Sequence, residues 1–576
     1  MVDKRAAGLP KEVLDAIERG ALLNATRHGG RAEVGAVVGM ILAEFAEMRS
    51  DSKDVAAEAG SVVNRVNSLT VDDQRSVLQR KYPETLAAAP KREETRQLPP
   101  LPNAVKGKTA FRIPPEPSGF MTIGHAMAFT INSIYSDMYD GQLWLRFEDT
   151  NPRLAVKRYY DNFRQGLAWL GIVPDHEKNL SDDMELIYGY GRKLLESGQA
   201  YTCSCAEEKV KKERFEGKAC VHRDQTVEVN LRHWDEMLAK KHREGTYVIR
   251  LKGDMSSMDF SLRDPNVFRI IDHDHPLTGS KYVVWPTYNL ANAIEDEVCG
   301  ITHILRSTEF PVALQEVIRE KLSFRRVEVI QFTRFNFKGT PVHKRLLRPL
   351  VEQGLVSGWD DPRMPTVDGV RRRGIIPEAI RQFTLQVGYT KTEHEYEWSL
   401  LFAVNRKLLD PVSRRIYFVP NPVRLAVEGA PARRASIRFH PDVDMGSRTI
   451  DTSGDFYIPR DDLKVMPEGT TFRLMDLYNV ELLSKGNEAK AKYAGDTLIQ
   501  DTRKVQWVTE DHAEVKVVIP GELFDAEGQF DKASLSEARG FGERAIGSVR
   551  IGEIVQLPRF GFCRLDSPGT FILAHR

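Results

Sequence analysis

Residues 111 to 150, FRIPPEPSGFMTIGHAMAFTINSIYSDMYDGQLWLRFEDT, constrain the fold more tightly than any other stretch. A short β-like run, Thr109 to Ile113, breaks at once into Pro114-Pro115-Glu116-Pro117-Ser118-Gly119. A helical pattern follows from about Gly124, and a second strand, Leu143 to Phe147, ends in Glu148-Asp149. Prolines fix φ and remove backbone donors, so the loop is stiff and cannot continue the strand. Gly119 and Gly124 let a ligand approach the backbone closely. Strand, loop, helix, strand is a βαβ unit. Ligands of such sheets sit beyond the carboxyl ends of the strands, where this loop and Glu148 both fall.

One such unit leaves most of the chain unaccounted for. At 576 residues it is too long for a single core, and three to five domains are expected. No run of about 18 apolar residues spans a membrane, and the start of the chain lacks a secretory apolar core, so the expected location is cytoplasmic. The net charge of +1 means that any nucleic-acid surface comes from local basic clusters. Five cysteines, an odd number, argue against a disulfide framework.

Residues 1–88 read as a helical appended domain: Val38, Ile41, Leu42 and Phe45 form one apolar face, and Leu14, Ile17, Val62, Val63 and Val66 continue the pattern. Both an interaction or RNA-contacting module and a small packing bundle fit. Residues 89–106, with Pro90, the charged run Lys91 to Arg96, then Pro99, Pro100 and Pro102, read as a linker. After the βαβ unit a helix is expected from about Leu154 to Leu170, ending at Gly171. Within 201–244, Cys203-x-Cys205 and Cys220-x-His222 form two close pairs of soft ligands. Zinc prefers thiolate and imidazole in a tetrahedron, although one-residue spacing is tighter than usual. Buried cysteines beside a surface histidine are the plainer reading. Lys209, Lys211 and Lys212 between the pairs could face phosphates or simply be solvated.

Residues 245–325 are expected to return to strands and complete the sheet, with runs at Tyr247 to Leu251 and Asp264 to Ile271. Tyr288, Asn292 and Asp296, spaced by four, share one face of a helix over 288 to 298. Arg306, at the end of the next strand, can reach the crevice beyond Ile113. Beyond a connecting region, 326–404, the run Arg371-Arg372-Arg373 with Arg406 and Lys407 offers a local basic surface fit for phosphates. Residues 405–576 change to short alternating runs such as Arg415 to Val419, Glu514 to Ile519 and Ile554 to Gln556, which suggest β-barrels.

Together these motifs resemble class I aminoacyl-tRNA synthetases of the glutamyl/glutaminyl branch, archaeal and eukaryotic type. Thr122-Ile123-Gly124-His125 stands where that class carries its HIGH motif, with Thr122 replacing the first His. RIPPEPSG lies upstream and LRFEDTNP downstream. FTRFNFKGTPVHKRLLRPLVEQG resembles the region of the KMSKS loop, with Lys344 at the catalytic lysine and His343 and Val342 replacing the Ser and Met. The resemblance implies a multidomain α/β plus all-β protein. It would have a Rossmann-type catalytic domain in two halves, 107–200 and 245–325, and an acceptor-end insertion at 201–244. A helical N-terminal appendage and two C-terminal anticodon-binding β-barrels complete it.

The implied activity is ATP-dependent ligation of L-glutamate to tRNA(Glu), with tRNA(Gln) as a second acceptor left open. His125 and Lys344 would be catalytic, and Pro114, Gly124, His125 and Lys344 would hold ATP with Mg²⁺. Arg112, Glu116, Glu148, Tyr288, Asn292 and Arg306 would select glutamate. Arg306 stands fourteen residues after Asn292, where glutamate-using members carry an arginine and glutaminyl members an uncharged residue. Structural Zn²⁺ at Cys203, Cys205, Cys220 and His222, and a protein partner for the N-terminal helices, are further expectations. The alternatives are a glutaminyl enzyme and an inactive synthetase-like RNA-binding protein, the latter prompted by Thr122, Val342 and His343.

Overall fold

The computed structural model describes residues 9–27, 30–82, 97–341 and 344–576. It divides into two compact units, Met1–Thr95 and Arg96–Arg576. Among the described residues the first holds four α-helices, α1 (Lys11–Arg27), α2 (Val34–Glu44), α3 (Ser52–Asn67) and α4 (Val71–Lys81), around a core that includes Ile17, Val37, Ile41, Val62, Val63 and Val66. Val38, Leu42 and Phe45 are half-buried, and Leu14 is exposed because Val13 and Ile17 take the inward face of α1. Asn67 joins α3 to the α1–α2 turn by accepting from the Ala32 N–H at 2.7 Å and donating to the Ala32 carbonyl at 3.0 Å.

The second unit begins with a correction. Part of the expected linker is packed: Leu98 and Leu101 are in the core, the Tyr135 hydroxyl donates to the Pro99 carbonyl at 2.8 Å, and the Leu101 N–H donates to the Tyr139 hydroxyl at 2.8 Å. A proline has no N–H to satisfy, so an extended proline-rich segment docks through its carbonyls and its apolar neighbours. Pro90 and Lys91 to Arg96 lie outside the described residues.

Next come β1 (Ala110–Ile113), α5 (Ile123–Met138), β2 (Gln142–Phe147), α6 (Lys157–Leu170) and β3 (His176–Asn179), with the three strands parallel in the order β1-β2-β3. Gly171 ends α6 at φ 71°, a left-handed cap that a Cβ would strain. After α7 (Met184–Glu196) the chain builds a separate antiparallel sheet from β4 (Ala200–Cys203), β5 (Val248–Leu251), β6 (Asn266–Ile270) and β7 (Val284–Pro286), with helices α8 (Glu207–Glu216) and α9 (Val227–Leu238) between β4 and β5. The expectation that 245 onward completes the catalytic sheet therefore fails for β5, β6 and β7. Period-two alternation identifies a strand but not its partner.

The chain returns to the parallel sheet through α10 (Tyr288–Val298), β8 (His303–Ser307), α11 (Ala313–Leu322) and β9 (Glu328–Phe332). β8 pairs with β9 in parallel, and the Thr302 N–H donates to the Ala110 carbonyl at 3.0 Å, which sets β8 beside β1. The order is thus β3-β2-β1-β8-β9. It reverses between β1 and β8, the place where a doubly wound sheet opens a crevice.

Two six-stranded sheets follow the helical connection that includes α12 (Lys344–Glu352), α13 (Val367–Arg373), α14 (Pro377–Val387) and α15 (Trp398–Leu409). One runs Asp455–Pro459, Pro422–Glu428, Glu488–Tyr493, Asn479–Ser484, Thr471–Leu474, Lys504–Val505, and Tyr457 bridges back to Val508 just past its last strand. The other runs from Phe418–Pro420 through Leu535–Glu543, His512–Pro520, Thr570–His575 and Gly561–Ser567 to Ile554–Leu557. There the Ile416 N–H donates to the Gln556 carbonyl at 3.0 Å and the Gln556 N–H to the Arg414 carbonyl at 2.9 Å. Each sheet closes on itself around its own apolar core, which makes two barrels.

Candidate active site

Six charged side chains from five elements meet at the strand-order reversal. Asp296 of α10 accepts from Arg112 of β1 at 2.9 Å, Arg146 of β2 at 2.9 Å and Arg319 of α11 at 2.6 Å. Burial would raise the Asp296 pKa, but Arg112, Arg146 and Arg319 outweigh it and hold the carboxyl below its ordinary value. Arg146 also donates to the Asn292 amide oxygen at 2.6 Å, and the Asn292 amide donates to the Tyr288 carbonyl at 3.1 Å. The Tyr288–Asn292–Asp296 face thus turns into the crevice. Glu148, at the end of β2, has Oε1 enclosed without a hydrogen-bond partner among the described residues. Burial lifts its carboxyl to about 7, against the pull of Arg112 and Arg146.

Arg306, the sixth charge, differs from the other arginines. It is 5% exposed, its Nη1 donates to the Gln315 amide oxygen at 2.9 Å, and its Nη2 donates to the Pro311 carbonyl at 3.0 Å. Both partners are neutral, and among the described residues no carboxylate lies in salt-bridge range of it. Four guanidiniums therefore face Asp296 and a Glu148 that is half titrated at neutral pH. Arg112 Nη1 and Nη2 and Arg306 Nε have no hydrogen-bond partner among the described residues. Buried charge of this kind calls for an anion, and guanidinium forks suit carboxylates. Glu116 is exposed and accepts the Ser118 hydroxyl. Pro114 is half-buried in the same loop.

The α5 end of the crevice has a different chemistry. Thr122 caps α5, and its N–H donates to His125 Nδ1 at 3.1 Å, which leaves the ring proton on Nε2. The His125 ring packs beside Phe129 and Phe163. A helix N-terminus of this length favours phosphate. Gly124 is a site of close approach, since a Cβ there would lie 3.3 Å from the Phe335 carbonyl. Thr122 is also bridged to Thr366, and the Ile123 N–H donates to the Pro365 carbonyl at 2.8 Å. Lys344 opens α12, but its side chain, like Val342 and His343, lies outside the described residues.

The two cysteine pairs come together. The sulfurs of Cys203 and Cys205 lie 3.5 and 3.6 Å from that of Cys220, and His222 Nδ1 lies 3.5 Å from Cys205 Sγ and 3.4 Å from Cys220 Sγ. A tetrahedron with Zn–S near 2.3 Å and Zn–N near 2.0 Å has edges of about 3.8 and 3.5 Å; the four separations above are close to these, and all four ligand atoms lie within 4.8 Å of one another, a set compatible with the ion. None of the three cysteines is in a disulfide.

The two basic clusters resolve differently. Lys209, Lys211 and Lys212 pair along α8 with Glu213, Glu207 and Glu216, forming a solvated face. Arg372 binds both carboxylate oxygens of Asp566, at 3.0 and 2.8 Å, and Arg373 donates to the Ala574 and Pro520 carbonyls. Arg372 and Arg373 therefore brace the second barrel instead of facing phosphates.

Arg146 and Arg319 were not singled out from the sequence. Arg146 had a signal, a charge at an inward position of an otherwise apolar strand, LWLRF. Arg319 had none, since it sits in a charged helix among Glu316, Glu320 and Lys321.

The catalytic-domain model of the class I tRNA synthetases (E and Q) matches residues 108–411, and two anticodon-binding-domain models of the same family match 413–494 and 504–566. A glutamate–tRNA ligase of Nitrosopumilus maritimus is 39% identical over 99% of this chain and 100% of its own length. Those of Cenarchaeum symbiosum and Pyrococcus furiosus are 40% identical over 96% of this chain and 98% of theirs, and 39% identical over 95% and 96%. The chain belongs to the class I tRNA synthetases of the glutamyl and glutaminyl branch.

Proposed function

We propose that the chain is a glutamate–tRNA ligase. The α-carboxylate of glutamate attacks the α-phosphorus of ATP in line, forming glutamyl-adenylate as the bond to pyrophosphate breaks. The terminal ribose hydroxyl of tRNA then attacks the activated carbonyl, loses its proton, and takes the glutamyl group while AMP leaves. No protein nucleophile is required. Positioning and neutralisation of phosphate charge supply most of the catalysis. His125 donates from Nε2 toward phosphate at the α5 N-terminus, and Lys344, at the position of the family's catalytic lysine, supplies a cation. ATP arrives with Mg²⁺.

The observation that carries the substrate assignment is Arg306, a buried guanidinium held by the neutral Gln315 and Pro311, with no carboxylate in salt-bridge range among the described residues. The γ-carboxylate of glutamate provides that counter-charge, and a charged hydrogen bond of this kind contributes about 1.5 to 3 kcal/mol. A glutamine amide would leave Arg306 unpaired. This argues against the glutaminyl alternative, and the amino-acid crevice as a whole argues against a mere RNA binder. Arg112 takes the other carboxylate, Glu148 the ammonium, and Tyr288 and Asn292 line the site. Glu116, exposed in the same loop, completes the proposed set. The relatives' names agree with this reading.

The tRNA acceptor end would meet the insertion around β4 to β7, and the anticodon the two barrels. Cys203, Cys205, Cys220 and His222 would hold Zn²⁺, which supplies structural cross-linking and no chemistry, since four protein ligands leave no open position. tRNA(Gln) as a second acceptor and a protein partner for α1 to α4 belong to the same proposal, as does a cytoplasmic location. No described helix is long and apolar enough to cross a membrane.

The test is aminoacylation of unfractionated tRNA with labelled glutamate and glutamine in parallel, run also on Arg306→Cys. Glutamate alone should be incorporated, and the charged tRNAs identify one or two acceptor families. Arg306→Cys should lower kcat/KM for glutamate about 30-fold or more, from a loss of at least 2 kcal/mol, with KM for ATP changed less than about threefold. Glutamine incorporation, or unchanged glutamate turnover in the variant, overturns the assignment.

A further inference from the structure

Beside the cysteine cluster lies a charge that no carboxylate answers among the described residues. In the antiparallel pairing of β4 with β5, Tyr201 faces Arg250 and Cys203 faces Val248. Residues two apart on a strand share a face, so Cys203 and Arg250 are diagonal neighbours, with Cβ atoms about 7 Å apart. Tyr201, Cys203, Cys205, Cys220 and Val248 pack into one cluster. Arg250 is fully buried and lies with its guanidinium 5.5 Å from the centre of the Tyr201 ring. Its Nε donates to the Asp264 carbonyl at 2.9 Å, whereas Nη1 and Nη2 have no hydrogen-bond partner among the described residues.

The nearby acid is already engaged. The Asp264 carboxylate accepts from the Tyr201 hydroxyl at 2.9 Å and the Gly253 N–H at 2.7 Å, and pairs with Arg223 at 3.2 Å. Asp264 also sits at φ 43°, a costly conformation for a residue with a Cβ, so this corner is held at some expense. A buried unpaired guanidinium is expensive as well. The metal site has the opposite imbalance: a divalent ion with three thiolates and a neutral imidazole carries one net negative charge.

We infer that Arg250 is the counter-charge of the Cys203, Cys205, Cys220 and His222 metal site, its Nη groups facing the thiolates from the second layer of contacts. Each group supplies the charge that the other lacks, and the β4–β5 register that aligns them is part of the metal site. This rests on the zinc reading above. It assigns Arg250 a positioning and neutralising role and makes no claim on the ligase reaction. Partners of this kind around a metal typically change its affinity ten- to a hundredfold.

The experiment uses the full chain as wild type, Arg250→Gln and Arg250→Lys. Zinc affinity is measured by competition with a chromophoric chelator, and thermal unfolding is followed with zinc bound and after zinc is stripped. Wild type should hold one zinc. Arg250→Gln should bind zinc at least tenfold more weakly, and Arg250→Lys should recover part of the loss by restoring the charge. The melting temperatures give the sharper test. Arg250→Gln should melt below wild type when zinc is bound, but no lower than wild type when stripped, because it then removes a buried cation with no counter-charge. Equal losses in both states, including failure to fold in both, would make Arg250 a strut for the Asp264 corner and overturn the inference, as would unchanged zinc affinity. Absence of zinc from wild type would overturn the metal reading itself, before any variant is compared.

Discussion

Two groups of arginines in this molecule look alike in composition and behave in opposite ways. Arg371-Arg372-Arg373 is contiguous, yet Arg372 is closed off by Asp566 and Asp360 and Arg373 by two carbonyls and the face of Phe402. Arg112, Arg146, Arg306 and Arg319 are scattered over more than 200 positions and converge on one crevice, where Asp296 alone is firmly ionised against them. Local density of charge is thus a poor guide to a ligand site. What separates the groups is satisfaction: a guanidinium whose donors and charge are met by the fold braces it, and one left in excess when buried is held for something else.

The strongest way to break that comparison is to remove the carboxylate that serves three guanidiniums. Asp296→Asn leaves Arg112, Arg146 and Arg319 buried without a counter-charge and should cost about 3–5 kcal/mol of stability, read from the urea midpoint of the catalytic body. A wild-type midpoint would mean that water or neighbouring groups already satisfy these arginines, and the charge excess argued for glutamate would dissolve with it.

The same principle explains what the sequence made legible. A spacing of four is local geometry, and Tyr288, Asn292 and Asp296 do share the inward face of α10. The proline loop and the switch from alternating to helical periodicity marked β1, α5 and β2 for the same reason. The two Cys-x-pairs were visible as ligand types, although only folding brings their atoms within 4.8 Å of one another across the β4 end and the α8–α9 loop. Pairing over long separations was not legible. Nothing local to Asp296 names Arg112, 184 positions away, or Arg319 on the next helix. Nothing in Tyr247 to Leu251 says that its partner is Ala200–Cys203 and not the parallel sheet. Arg372 read as a phosphate ligand because its partner, Asp566, lies 194 positions downstream.

A second test turns on Glu148, whose carboxyl burial raises to about 7. Only its ionised form attracts the ammonium of an amino acid. Because the pKa is raised, the ionised fraction grows as pH climbs through about 7 and is small well below it. KM for glutamate should therefore fall with rising pH, by at most about tenfold per unit below the pKa, and level off above it. Binding should release a proton near neutrality. Glu148→Gln should flatten this limb while KM for ATP keeps its own profile. A glutamate KM independent of pH from 6 to 8 would detach Glu148 from the ammonium.

The smallest expected effect falls on the contiguous run and sharpens the comparison from its other side. Arg372 keeps about a third of its side-chain surface in solvent, and its pairs with Asp566 and Asp360 are correspondingly screened. Arg372→Ala should cost roughly 1 kcal/mol of stability, with Asp566→Ala costing a similar amount and the double variant little more than either. A residue that only braces the barrel carries no phosphate contact, so the salt dependence of tRNA binding should keep its slope. A phosphate ligand would instead lower that slope by about one. A reduced slope with unchanged stability would return Arg372 to the nucleic-acid surface, and its bond to Asp566 would then be a resting contact that RNA displaces.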